Sequence, residues 1–464
     1  MNIRENNLNK LSEDEIYDVL ILGGGINGAV AAASLAAKGV RVALIEKGDF
    51  AGETSSNSSN LAWGGIKYLE SYELLLVNNL CKSRNRLMRS YPSTVKEVRF
   101  LTAVAKGFRY PPLLIYLGAI LYWLIGRCFT KKPNFLSSRQ LNERDPSINI
   151  NNVAGGLEYS DCLLYDNDAR FVFNFIRSAL DHGCIAANYV ESQGAAREGS
   201  VWVTQARDNM TGNSFRIRSK ILINACGPSV DFHNQLTGQL TTHRHLFSKG
   251  VHLVVDRLTT TNKVLAFFAS DGRLFFVIPM GPKTCIGTTD TQVDSPNVSV
   301  QPNDRSFILE NANRLLNLSR PLTVEDIIAE RCGVRPLAVS GSDGVADWIK
   351  LSRKHAIDVN EGECHVSIFG GKLTDCINVG DEVAKIVAQL GVDVPCANKI
   401  WYGEPSTAMK KDLVHQATLM NLDELTDASS SEPLTQRLWR RYGADALQIL
   451  EDIRNDPESE KELM

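Results

Sequence analysis

The chain is poor in features that would set it apart at once. It holds ten cysteines but no Cys-x-x-Cys pair, and none is spaced with histidines as a zinc site requires. That pattern excludes a disulfide scaffold and predicts reduced core cysteines in a cytoplasmic protein with no metal. Neither sign of charge dominates: the formal net charge is −3, against a wholesale nucleic-acid binder. The opening "MNIRENNLNKLSEDEIYD" has no apolar h-region, so no secretory signal is expected. There are no internal repeats, and no apolar run reaches the ~20 residues that span a bilayer. Hydrophobic residues are 44% and charged residues 22% of 464 positions, enough for two or three domains with substantial cores.

One uncharged apolar run, 113–126 within "PPLLIYLGAILYWLIGRCFTKK", is only fourteen residues long. Lys106 and Arg109 precede it, and Arg127, Lys131 and Lys132 follow. Two readings stand: a buried helix of a large domain, or a segment lying in a membrane interface beside anionic headgroups.

The first strong signal is local. "YDVLIL" is a β-branched apolar run, "GGGING" follows, "AVAAASLAAKG" is a small-residue helix stopped by Gly39, and "VRVALIE" is a second strand ending at Glu46. Strand, turn, helix and strand within about 30 residues is the unit of a parallel sheet. Gly23, Gly25 and Gly28 form G-x-G-x-x-G. The first permits the tight turn, the second lets backbone approach a pyrophosphate, and the third allows close helix–strand packing. The helix N-terminus faces the phosphate charge, and Glu46 stands about 20 residues on, where ribose hydroxyls are bound.

The next stretch, "TSSNSSNLAWGGIKYLE" (54–70), separates the dinucleotides. An NAD fold would continue with another β-α-β unit. Here Thr54, Ser55, Ser56 and Asn60 instead offer hydroxyl and amide groups suited to a pyrophosphate and a ribityl chain, followed by Leu61 and Trp63. Gly64-Gly65 suits close approach to a flat ring. "NACGP" places Gly227 at a strand end where a side chain would meet a cofactor. "FGGKLTDCINVG" places Gly370-Gly371, Lys372, Leu373 and Thr374 at a helix N-terminus that could stabilise a reduced flavin. The set favours FAD.

Between these motifs the pattern changes. "VWVTQA" and "SFRIR", joined at "DNMTG", read as an antiparallel meander. "VHLVVD", "VLAFFA", "RLFFVIP" and "TCIGTTD" read as a second, mostly antiparallel sheet. The predicted fold class is α/β: a Rossmann-like FAD-binding domain with an inserted, mostly antiparallel substrate domain and a short helical C-terminal extension. The expected boundaries are 1–80, 155–235 and 333–400 for the FAD domain, and 81–154 with 236–332 for the substrate or cap domain. The helical region is 401–464, broken by serines at 429–431.

Taken in order, "GGGINGA", "TSSNSSNLAWGGIKYLE", "GGLEYSDCLLYDNDARFV", "SKGVHLVV", "FVIPM…IGTTDT", "CGVRPLA" and "FGGKLT" resemble the FAD-dependent glycerol-3-phosphate dehydrogenase family, within the D-amino-acid-oxidase-like superfamily. The resemblance covers most of the chain to about residue 400, with "LTQRLWRRYGADALQIL" similar to the start of a shortened helical domain. It implies oxidation of sn-glycerol 3-phosphate to dihydroxyacetone phosphate, with hydride passing to flavin and electrons onward to quinone or oxygen. By position it implies Arg335 and Lys372 as anchors for an anionic substrate and His252 as the base. Thr288 and Thr289 become pocket hydroxyls, with Tyr68 as the family's tyrosine. Separately from the resemblance, the run 113–126 and its basic flanks make it the candidate for a peripheral contact with the cytoplasmic membrane face. The family usually reads Ser-Ser-Lys-Leu-x-His-Gly-Gly-x-Arg-Tyr. This chain has Asn60, Trp63 and Lys67 at the lysine, histidine and arginine, and Asp375-Cys376-Ile377 where Thr-Tyr-Arg is usual. Those departures leave two alternatives: the same fold acting on another alcohol or amine, or a flavin-binding protein without catalysis.

Overall fold

The computed structural model describes residues 2–340, 354–427, 430 and 432–456. Residues 341–353 of the third expected FAD-domain piece, Ser429 and Ser431 of the serine break, and 457–464 of the helical region lie outside the described residues.

The apolar, β-branched runs form one sheet in the order His355–Asn360, His365–Gly370, Ser214–Asn224, Ile16–Leu22, Val42–Glu46, Ile185–Asn188. All neighbours are parallel except the first pair. Strands Val190–Glu198 and Val201–Asp208 extend it as the expected antiparallel meander. Strands buried on both faces need no alternation, which is why Ile16–Leu22 and Val42–Glu46 read as unbroken apolar runs. The alanine-rich helix Ile26–Ala37 is buried along nearly its whole length. Its small side chains let it lie under helices Asp168–Asp181 and Cys376–Gln389 in one shared core.

The second sheet runs Thr291–Val293, His243–Asp256, Lys283–Gly287, Leu274–Met280, Val264–Phe268, Val95–Ala105, Val153–Leu164, Leu61–Ala62. Its one parallel pair joins Val264–Phe268 to Val95–Ala105. The architecture is the expected one, but sheet membership departs from the expected boundaries. Val153–Leu164 pairs within the second sheet, so the boundary at 155 falls inside a strand. Ala329–Ser340 pairs with His243–Asp256 along its whole length, across the boundary at 333. Neither pairing is visible locally, because a strand's apolar pattern does not name its partner.

The run at 113–126 forms helix Pro112–Ile125. It is not a buried helix: only Ala119 and Tyr122 are buried, while Leu113, Leu114, Leu117, Leu121 and Leu124 are 44–58% exposed. After residue 400, helices Thr407–Leu419, Leu434–Tyr442 and Ala446–Asn455 close on a small core of their own. Arg440 ties this unit to Asp166, just before helix Asp168–Asp181, and Arg177 of that helix pairs with Asp445.

Candidate functional site

Where Ile16–Leu22 ends, the chain turns through Gly23 at φ +102°, and a Cβ there would stand 2.5 Å from the Ala225 carbonyl oxygen. A Cβ on Gly28 would stand 1.9 Å from the Gly23 oxygen, so the helix can approach the strand only because both are glycine. Helix Ile26–Ala37 begins at Gly25 without a side-chain cap, and the Ile26 amide donates to Ser55 Oγ at 3.0 Å. Its remaining first-turn amides are the kind of group that meets a phosphate. At the end of Val42–Glu46, the Glu46 carboxylate accepts from Gly24 N at 2.7 Å and Gly48 N at 2.9 Å. Two backbone bonds fix it facing the cleft, with lone pairs left for ribose hydroxyls. Gly227, at φ +55°, borders the same space with nothing within 4 Å of where its Cβ would be. Positive helix end, fixed carboxylate and open glycine fit a dinucleotide of the FAD type.

The cleft has a volume of about 460 Å³, and both sheets contribute to its wall. Gly23, Gly25, Glu46 and Gly227 border it near the glycine turn, and Thr54, Ser55, Leu61 and Trp63 along the polar loop. Tyr68, Thr288, Arg335, Gly371, Lys372, Leu373 and Thr374 also line it. Asn27 Nδ2 donates to the Gly370 carbonyl at 3.0 Å, joining the first glycine motif to the second. Thr374 Oγ1 accepts from the Trp63 amide at 3.1 Å, drawing the polar loop to the same place.

Besides Gly64 and Gly65, six expected residues do not line the cleft. Thr289 is 3% exposed, and its Oγ1 accepts from the Val251 amide at 2.9 Å. Gly28 serves packing, as its motif position requires. The Ser56 hydroxyl donates within its own loop, to Gly52 O and Glu53 O. Asn60 is 5% exposed, at φ +58°, and its Oδ1 accepts from the Asp168 amide at 3.0 Å. It therefore supports the polar loop from behind rather than facing a flavin. Lys67 lies on the exposed side of the turn Ile66–Leu69. His252 is 1% exposed behind the wall, opposite Gly287 and Arg331 in neighbouring strands. Its ring nitrogens have no protein partner, and burial, with Arg335 and Arg331 nearby, pushes its pKa down to about 3. Gly64 and Gly65 make room for the protein's own side chains, not for a flat ring. A Cβ on Gly64 would meet Tyr122 Oη at 2.1 Å, and one on Gly65 the Tyr68 ring at 2.7 Å. The protein's own side chains fill the room expected for a flat ring.

Side-chain contacts tie the cationic end together. Lys372 Nζ donates to Tyr68 Oη at 2.7 Å and stands 4.1 Å over that ring. Arg335 Nη2 donates to Thr288 Oγ1 at 3.0 Å, and Nη1 lies 3.5 Å from Asp290. Ser248 in turn donates to Asp290. Asp290 was not legible as a site residue, because its link to Arg335 crosses strands.

Asp168 was also missed. It is fully buried and accepts from the Ser58 amide at 2.7 Å and from Arg331 at 3.2 Å, while Arg331 also donates to Ser56 O. One carboxylate thus clamps the polar loop to the second sheet. In sequence it reads only as the acidic first residue of a helix capped by Asn167. At the departure Asp375, His355 stands 3.2 Å from that carboxylate and 2.9 Å from Glu382. Burial opposes charge on His355, but the two carboxylates outweigh it and raise its pKa to about 9.

A two-layered nucleotide fold with a glycine-motif cleft and a cationic far end defines a flavin-dependent oxidoreductase. Residues 18–360 match the family described as FAD dependent oxidoreductase, and the chain belongs to that family. It is 29% identical to a glycerol-3-phosphate dehydrogenase of Pseudomonas aeruginosa over 95% of this chain and 85% of that one. It is 32% identical to the aerobic glycerol-3-phosphate dehydrogenase of Escherichia coli, over 78% of this chain and 71% of the relative. A D-erythritol 1-phosphate dehydrogenase of Brucella abortus is 30% identical, over 78% and 72%. Among solved structures, the glycerol-3-phosphate dehydrogenase of Bacillus halodurans complexed with FAD superposes with a TM-score of 0.75 at 26% identity, covering 99% of this chain and 82% of that one.

Proposed function

We propose that this chain oxidises the secondary alcohol of sn-glycerol 3-phosphate to dihydroxyacetone phosphate. The observation that carries the reading is the convergence of Arg335 and Lys372, with Tyr68 and Thr288, at one end of the FAD cleft. Arg335 presents a planar fork to two phosphate oxygens, with Thr288 and Asp290 holding the guanidinium in place. Lys372 supplies a second positive charge beside the Tyr68 hydroxyl. FAD, when bound, supplies the two-electron acceptor. His252, the base that the resemblance implies, stands behind the wall and does not line the cleft, so the hydroxyl proton is not assigned to it. Its ring is neutral near pH 7 chiefly because burial disfavours the charged form, with Arg335 and Arg331 adding to the effect. Glu46 and the first-turn amides of Ile26–Ala37 hold the nucleotide end.

The test is anaerobic addition of sn-glycerol 3-phosphate to the yellow holoenzyme, followed at the flavin band near about 450 nm. Bleaching is expected; a spectrum that persists overturns the substrate. Trp63 favours a second reading, another hydroxylated or amine substrate, because it stands in the cleft wall where the family pattern has a histidine. The similarity to a D-erythritol 1-phosphate dehydrogenase puts longer polyol phosphates first in the screen. Bleaching by none of them at full FAD occupancy would support a flavin-binding protein without catalysis.

Quinone or oxygen is the proposed electron acceptor, and helix Pro112–Ile125 the proposed membrane contact. Its exposed leucines share one face, and Lys106, Arg127, Lys131 and Lys132 flank it in exposed positions. No helix among the described residues is long and apolar enough to cross a membrane. Co-sedimentation with anionic liposomes at low salt is expected. It should be lost in Leu117→Glu/Leu121→Glu, whose melting temperature should stay near wild type; sedimentation equal to wild type would end the idea.

A further inference from the structure

Behind the turn that brings Trp63 and Tyr68 to the cleft lies a charged cluster outside the chemistry above. Asp161, in strand Val153–Leu164, and Arg84, in helix Leu74–Ser90, have side chains 0% and 1% exposed and meet at 2.8 Å. The Tyr122 hydroxyl, on helix Pro112–Ile125, donates to the same carboxylate at 2.7 Å. The Gly64 amide donates to it at 3.1 Å. Taking two such ions out of water costs several kcal/mol each, so a buried pair is weak evidence for stability. It is better evidence for a fixed geometry, because a saturated low-dielectric network holds its members rigidly.

What it fixes is the turn. Gly64 is pressed against Tyr122 Oη closely enough that a Cβ would stand 2.1 Å away. On the other side, the neighbouring Trp63 amide is bound to Thr374 Oγ1. The turn is thus held between a buried carboxylate and the second glycine loop. Tyr68, four residues past Gly64, meets Lys372 of that loop.

We infer that Asp161 is a positioning residue: by holding the Gly64 amide, it sets where Trp63 and Tyr68 stand against FAD and Lys372. Tyr122 and Arg84 orient the carboxylate and complete its hydrogen bonds. The inference rests on the Tyr68–Lys372 end being the substrate end only for its effect on catalysis. Its effect on the flavin environment is independent of which substrate is used.

The test compares wild type, Asp161→Asn and Tyr122→Phe as FAD-loaded proteins. The primary readout is the visible circular dichroism of bound FAD, which reports the asymmetric surroundings of the ring. At equal FAD occupancy, Asp161→Asn should change the shape of that spectrum, and Tyr122→Phe should change it in the same direction by less. With sn-glycerol 3-phosphate, KM should rise about tenfold in Asp161→Asn. If Asp161→Asn does not fold, Tyr122→Phe carries the test, since it keeps the ring and removes one donor. Dichroism superimposable on wild type, with or without a lowered melting temperature, overturns the inference. A wild-type enzyme that ignores glycerol 3-phosphate overturns the proposed substrate, while the dichroism still decides Asp161.

Discussion

At the scale of single residues, the site separates groups that face the cleft from groups that hold them. Arg335 faces it, and its value lies in the fork rather than the charge. Arg335→Lys keeps the charge but loses one of two parallel hydrogen bonds, worth about 1.5–3 kcal/mol for a charged partner. KM for the phosphorylated substrate should therefore rise at least tenfold with a smaller change in kcat, and steady-state kinetics will show whether the split runs that way. His355 is a holding group with a pH signature. Its pKa is raised to about 9 in the fold, against an ordinary value near about 6.5. Its pairing with Asp375 and Glu382 therefore contributes fully below the ordinary value and is lost as pH rises through about 9. His355→Gln should lower the melting temperature at pH 7, and the gap from wild type should close above pH 9; a gap that stays constant from pH 6 to 10 would remove the ion pair as its cause. The polar loop shows why site residues were partly legible. Thr54 and Ser55, expected as cofactor groups from composition beside a glycine motif, line the cleft. Asn60, in the same run, turns inward to Asp168 because its backbone adopts φ +58°, which neighbouring letters do not reveal.

At the scale of elements, the helix–strand contact at the glycine motif is the least tolerant point. Gly28→Ala would drive a methyl to within 1.9 Å of the Gly23 oxygen. The backbone must move, at a cost of about 1–3 kcal/mol for overpacking, and the first-turn amides move with it. The expected result is a lower melting temperature together with sub-stoichiometric FAD after gel filtration. Full occupancy with unchanged melting would show that the contact relaxes more easily than its geometry suggests. Helix Pro112–Ile125 makes the complementary point. An apolar run of fourteen residues reads as core or as surface, because its composition is apolar all round. The partners available on one side, Tyr159 and Asp161 among them, decide which face is covered.

At the scale of the whole molecule, the cleft takes its wall from both sheets, so a ligand there links their stabilities. FAD at a hundredfold excess over its dissociation constant should add about 2.7 kcal/mol to the folded state. In calorimetry, the transition of the two sheets should move upward as one when FAD is added to apoprotein. The C-terminal helices, with a separate core joined to the rest through Arg440 and Arg177, should respond less. A transition that splits, with only part moving, would show that the second sheet unfolds independently of the cofactor.

The sequence by itself determined the nucleotide half of this protein: the β-turn-α-β unit, the three glycines, Glu46, and the family to which they belong. These are short-range features, fixed by backbone sterics and hydrogen bonding within about 30 residues of chain. Only the tertiary structure decided which strands belong to which sheet and which side of helix Pro112–Ile125 is bare. It also decided that Asp161, Asp168 and Asp290 stand behind the residues that face the cleft. Each of those depends on a partner distant in sequence: Asp161 lies 97 positions from Gly64 and Asp168 lies 110 from Ser58. A buried carboxylate acquires its meaning from the donors that surround it, and the fold alone brings those donors together.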